Sequence, residues 1–423
     1  MTEPITQYVP KNHNRSPSAR CAEIKALTGH VTPRQPRALS PAGPRHELSA
    51  RALTALAAGP GDPGGLQTLA NTRLSYTRSL VAHVSRIGAT DTDAELSRAA
   101  AEGWALLCRL DRTHPDAVQE IFAHPFTSAW AHRCLRPPRG ANGGLDRAHL
   151  GGLAAAAALR AGTSAEVLVP VRDGALHLPT LGAFRLTPRA AVTASVSVAA
   201  GEARASGAVW QSARRVASPV IRTTLEDLDP FRDCQDWPAA ARLASDEYST
   251  WHRAVLAAGS RLAADVPGYA AVLGSGLRSI VPLRAVAAAN RSSTARQAFG
   301  AVALTLPRGG DMAALLLHEF QHVKLHALTG ICDLFDAAEA RLLPVGWRGD
   351  PRPIEGVLHG TYAHLALAHL ARAQGPPARA RYLQYRSWVC DAAAALSASA
   401  ALTSDGEYFV AEMAAAAQAQ SDG

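Results

Sequence analysis

The sequence predicts an α+β fold that is predominantly α-helical: an N-terminal helical domain, a small antiparallel β element and a C-terminal helical metal-binding domain. Three observations carry that prediction. Ala- and Leu-rich runs at helical spacing fill most of the 423 residues, in a composition that is 48% hydrophobic but only 5% aromatic, which favours packed helices over extensive sheet. One stretch, 165–212, changes to β-branched alternation with period two. Residues 311–328, DMAALLLHEFQHVKLHAL, set two histidines four positions apart within an apolar helical repeat.

Taken in order, residues 1–45 hold seven prolines and almost no apolar periodicity, and read as a flexible Pro-rich extension. Residues 46–162 form the expected N-terminal helical domain, with helices near 47–58, 64–87, 92–110, 115–122, 126–134 and 148–161. His114-Pro115-Asp116 imitates the His-x-Asp pair of jelly-roll iron oxygenases, but that pair needs a strand, and Pro115 followed by AVQEIF reads as a helix start. Residues 163–218 are the antiparallel β element, with Asp173-Gly174 as a hairpin turn and His177 on a strand as an ordinary core or surface histidine. The last unit, 219–423, is read as helices at 239–264, 267–279, 311–328, 354–373, 378–399 and 407–419, with strand character in AFGAVALTL just before the histidine helix.

Composition bounds the function. The six cysteines are scattered with no C-x-x-C, which argues against a disulfide scaffold or zinc ribbon. The net charge is +8, but residues 1–50 carry seven Lys/Arg against three Asp/Glu, half of that surplus. The remainder is dispersed without basic–aromatic clustering, so nucleic acid is not an expected partner. Ala-rich runs such as 152–158 and 391–401 are too short to span a bilayer and no charged-then-apolar leader opens the sequence; a cytoplasmic protein with no membrane association is expected.

The chemistry concentrates on 311–328. Asp311 is placed to cap the helix, and Leu315, Leu316, Leu317, Leu325 and Leu328 supply packing positions. His318 and His322 then project from one face, where two imidazoles can hold one metal ion; Glu319 points aside, able to accept a proton or orient a water. His326 extends the stripe but lacks the Gly turn that precedes a third metzincin ligand, and is set aside. Candidates for the third ligand are Asp333, Asp336, Glu339, Glu355, His359 and His364. Glu339 has the approximate gluzincin spacing, while His359 lies between Gly356 and Gly360, which would let its helix approach closely.

The strings LEDLDPFRDCQDWP (225–238), RQAFGAVALTLP (296–307), LLLHEFQHVKLHAL (315–328), GWRGDPRPIEGVLHGTYAHLALA (346–368) and LTSDGEYFVAEM (402–413) together resemble the HExxH-motif, Fe(II)- and 2-oxoglutarate-dependent peptide β-hydroxylases that mature ribosomally synthesised, post-translationally modified peptides. The resemblance runs from about residue 46 to the C-terminus. It implies Fe(II) bound by His318, His322 and His359, with 2-oxoglutarate and O2 as co-substrates and a precursor peptide as partner, alongside other maturation enzymes of the cluster. Arg352, in the Asp350–Pro353 turn, is the first choice to anchor the distal carboxylate of 2-oxoglutarate, with Arg348 and Arg296 as alternatives and pairing with Asp350 as the plain structural role. Under the alternative, a zinc metallopeptidase trimming a modified precursor, Glu319 would be the general base.

Overall fold

A computed structural model describes residues 46–87, 93–138, 140–187, 191–285, 290–307 and 311–419. The Pro-rich extension expected at 1–45 lies outside them. The fold is α+β and mainly helical.

The N-terminal helices are α1 (Ala50–Ala57), α2 (Pro63–Val84), α3 (Ala94–Thr113), α4 (Pro115–Phe122), α5 (Pro125–Leu135), α6 (Gly143–Ala148) and α7 (Leu150–Ala161). Local chemistry sets their starts. Ser49, Asp62 and Asp93 each accept a hydrogen bond from the first turn, and Pro63, Pro115 and Pro125 occupy positions where no amide donor is needed. His114 therefore precedes a helix, as Pro115 predicts. α7 is apolar all round and buried along Leu150–Ala158, and it lies between α3 and the first strand.

Two small antiparallel sheets follow. Their strands are β1 (Ala165–Pro170), β2 (Ala175–Leu178), β3 (Gly182–Leu186), β4 (Thr193–Ala199), β5 (Glu202–Arg204) and β6 (Ala208–Ser212), ordered β1-β4-β5 and β2-β3-β6. Asp173 and Gly174 both take positive φ, 52° and 72°, and Arg172 and Ala175 exchange backbone bonds of 2.9 Å. This is the two-residue turn that the Asp-Gly pair predicts.

The next sheet was not legible as such. Strands β7 (Arg214–Ala217), β8 (Arg222–Leu225), β9 (Ser279–Pro282), β10 (Ser292–Ser293) and β11 (Ala301–Leu304) assemble in the order β10-β11-β9-β8-β7, with β8–β9 and β9–β11 parallel. β7 and β8 stand on either side of the boundary expected at 218/219. The helix expected over 267–279 ends at Gly276, and the helix expected from 239 begins at Ser245. β9 and β11 are buried at every position, so they lack the alternation that marks a half-exposed strand.

Helices α8 (Ser245–Asp265), α9 (Pro267–Gly276), α10 (Met312–Leu328), α11 (Ile354–Ala373), α12 (Arg379–Ala398) and α13 (Ser404–Gln418) complete the chain, with a short β12–β13 pair (Leu342–Leu343 and Arg352–Pro353) before α11. Asp311 caps α10 as expected, accepting from Ala313 N at 2.9 Å. Every residue of α10 except His326 is buried, against α2, α8, α9, α11 and β11. Its far side is clamped by the turn after α1. Lys324 Nζ donates to Gly59 O at 2.6 Å and Pro60 O at 2.9 Å, and Gln321 Nε2 donates to Gly59 O at 3.0 Å. No described helix is long and apolar enough to cross a membrane.

Burial of histidines makes the fold acid-sensitive. Desolvation holds His132, His177 and His369 down to about 4 and His149 to about 3, whereas unfolded imidazoles titrate near 6.5. Between those values the unfolded chain binds more protons, so stability is full above pH 6.5 and declines as pH falls towards 4. Urea midpoints at successive pH values should fall through that window; a rising midpoint would mean these rings are charged in the fold.

Candidate metal centre

Helical periodicity places His318, His322 and His326 on one stripe of α10, and α11, packed across it, brings His359 and His364 to the same stripe. His322 Nε2 lies 3.1 Å from His318 Nε2, and His322 Nδ1 lies 3.1 Å from His359 Nδ1. The three histidines expected as ligands are thus brought together, but around two edges of the His322 ring. Among the described residues two candidate ligand clusters result: His318, Glu319 and His322, and His326, Glu355 and His359, each with ligating atoms within 4.8 Å of one another. One ion held by His318, His322 and His359 requires the His322 or His359 ring to turn.

Protonation favours metal. Burial pushes His318 to about 3 and His364 to about 4, and it drives His322, His326 and His359 well below the ordinary imidazole range, with neighbouring imidazoles and Arg296 adding to the effect. The rings are neutral and keep their lone pairs. His318 Nδ1, His326 Nδ1 and His359 Nε2 are buried with no hydrogen-bond partner, an uncommon condition for polar atoms unless they serve another purpose. The donor set fits a divalent transition metal.

Glu319 is buried, and desolvation raises its carboxyl to about 8, the Ser292 hydroxyl opposing and Asp236 reinforcing that rise. Without metal it is mostly protonated at neutral pH. A divalent ion beside it would draw that proton off.

Of the other acids, Glu339 accepts from Arg341 N at 2.8 Å and Asp336 from Ala338 N at 2.8 Å, both within their own exposed turn and in neither cluster. Asp333 is likewise in neither. Glu355 is in one, 3.6 Å from Arg296. His364 donates from Nδ1 to Gly360 O at 2.7 Å and stacks on Trp347 with centroids 4.7 Å apart. Gly360 makes that stacking possible, since a Cβ there would stand 2.3 Å from Trp347 Cζ2.

The three arginines divide. Arg348 and Arg352 both grip Asp350, at 2.9 and 3.1 Å. Arg296 instead faces the histidines through Glu355 and Thr329. Two residues outside the expected ligand set also stand at the centre. His326, whose ring centroid is 4.3 Å from that of His359, was signalled by the four-residue stripe itself. Arg73, which donates to Arg296 O at 3.0 Å, comes from a distant helix and left no local signal.

No family model matches this chain, and no curated protein does either.

Proposed function

We propose that this protein is an Fe(II)- and 2-oxoglutarate-dependent hydroxylase of a side-chain β-carbon in a ribosomally made precursor peptide. The observation that supports this most is the cluster of neutral, partly unsatisfied imidazoles shared by α10 and α11, with Arg296 at its edge. The family resemblance adds the chemistry. His318, His322 and His359 would hold the iron, which with the 2-oxo acid and O2 supplies the oxidising power for hydroxylation. The protein's own part is to keep those rings neutral, to exclude water by burying α10, and to neutralise the distal carboxylate with a guanidinium. Other maturation enzymes of the same cluster would be its partners.

A second reading, a zinc metallopeptidase acting on such a precursor, is favoured by the position of Glu319 in one cluster with His318 and His322. The deciding experiment incubates the purified chain with candidate precursor and either Fe(II) plus 2-oxoglutarate or Zn(II). Succinate and a peptide heavier by one oxygen support hydroxylation; a shortened peptide supports proteolysis.

Two substitutions refine it. Glu319→Gln should leave measurable hydroxylation, because no water need be deprotonated; complete loss with metal retained would favour hydrolysis. Arg296→Ala should raise the 2-oxoglutarate requirement by roughly tenfold or more, with Arg352→Ala changing it little because Arg352 is committed to Asp350. The reverse pattern in KM would return the anchor to Arg352, or to Arg348 if only Arg348→Ala shows it.

A further inference from the structure

A cavity lies between α2, the α4–α5 junction and the turn before β9, lined by Arg73, Arg278, Ser128, His124, Phe122 and Phe299 among others. Its charge is unbalanced. Among the described residues no carboxylate lies within ion-pair distance of Arg73 or Arg278; Glu120, the acid nearest in effect to Arg278, is engaged by Arg160. Arg73 is half-buried, with one bond to Arg296 O at 3.0 Å and its guanidinium 4.9 Å from the Tyr76 ring centre. Burial lowers its pKa, Tyr76 opposing that and Arg296 adding to it. Ser128, only 4% exposed, lines the same cavity, and its buried hydroxyl has no partner.

A half-buried guanidinium without a counter-charge at Arg73, a second guanidinium at the exposed mouth and an unsatisfied buried hydroxyl at Ser128 suit an acceptor-only, negatively charged group. The enclosed space is about 20 Å³, room for little more than one carboxylate head and less than a tetrahedral oxyanion needs, and the remaining walls, Phe122, Phe299 and Leu74, are apolar. We infer that this cavity is a carboxylate-binding site, in which Arg73 and Arg278 neutralise the acid and Ser128 donates to it. The carboxylate can come from a free small dicarboxylate or from an acidic residue of a peptide. Arg73 links the cavity to Arg296, whose guanidinium pairs with Glu355 of the second histidine cluster.

Calorimetric titration of the full-length, metal-free chain tests this with three probes: succinate, a short Asp-containing peptide, and inorganic phosphate. Binding requires neither iron nor oxygen, so failure of the hydroxylation assay leaves it standing. Saturable binding of succinate assigns a free acid, and binding of the peptide alone assigns a peptide side chain. In either case Arg73→Gln and Arg278→Gln should each weaken binding at least tenfold and Ser128→Ala a few-fold, with Arg73→Lys retaining part. Arg278 is exposed and its replacement leaves the core untouched, so that variant reads out even if Arg73→Gln fails to fold. No carboxylate binding, binding indifferent to Arg278→Gln, or phosphate bound more tightly than either carboxylate would overturn the assignment.

Discussion

His322→Ala is expected to leave the protein essentially metal-free. His322 is the ring common to both close nitrogen contacts of the centre, to His318 and to His359, at 3.1 Å each. Its loss therefore disables a site however the rings rearrange around an ion. Affinity should drop by more than ~100-fold, beyond the effect of removing an outer hydrogen-bond partner. Metal per chain after anaerobic Fe(II) or Zn(II) loading and gel filtration checks this, and a full equivalent in His322→Ala would eliminate the HExxH site. The same measurement sorts the third ligand. His359→Ala is expected to lose metal as His322→Ala does. Retention there, with loss in Glu319→Ala, would assign the ion to the His318, Glu319 and His322 cluster; loss in His326→Ala and Glu355→Ala would assign it to the other.

Gly59→Ala should be the most destabilising single methyl in the turn that clamps α10. Gly59 has φ +113°, and a Cβ there would stand 2.0 Å from Tyr269 Oη. Backbone strain of about 1–3 kcal/mol and overpacking of about 1–3 kcal/mol act together, for a total of roughly 3 kcal/mol or more. Gly201→Ala separates the two, because Gly201 has φ +77° with nothing within 4 Å of the added atom. It should show the strain alone. Urea denaturation of both variants tests the pair, and equal losses would mean that Tyr269 yields freely. Tyr269 is also held by His369 at 2.7 Å, which is why it should resist.

What could be read from the sequence was local. Asp311 announced the start of α10, Pro115 overruled the His-x-Asp imitation, and Asp173-Gly174 announced its turn, because each acts on backbone within a few residues. The histidine stripe was equally plain, since a helix fixes which side chains share a face. The parallel strands β8, β9 and β11 were not, for they are short, β9 and β11 are wholly buried, and β8 finds its partner β9 some 55 residues on, with a helical pair between them. His326 was set aside because the helix was expected to continue through Leu325 where a third metzincin ligand needs a turn, and α10 does continue to Leu328. The pairing of Arg352 with Asp350 within one short turn was foreseeable, whereas that of Arg296 with Glu355, 59 residues on, depends on tertiary packing that no spacing encodes.

The clamp on Lys324 also bears on how the centre comes into being. That ammonium is 1% exposed, has no carboxylate bonded to it, is held well below its usual pKa by burial, and finds its acceptors in Gly59 and Pro60, 265 and 264 positions earlier. During synthesis the turn after α1 emerges long before α10 exists to meet it. A fragment beginning at 219 would carry every histidine of the site yet leave a lysine facing an apolar interior with nothing to receive its protons. Contacts of such long sequence separation form late, so ligand geometry is completed only when the first and last thirds of the polypeptide have docked.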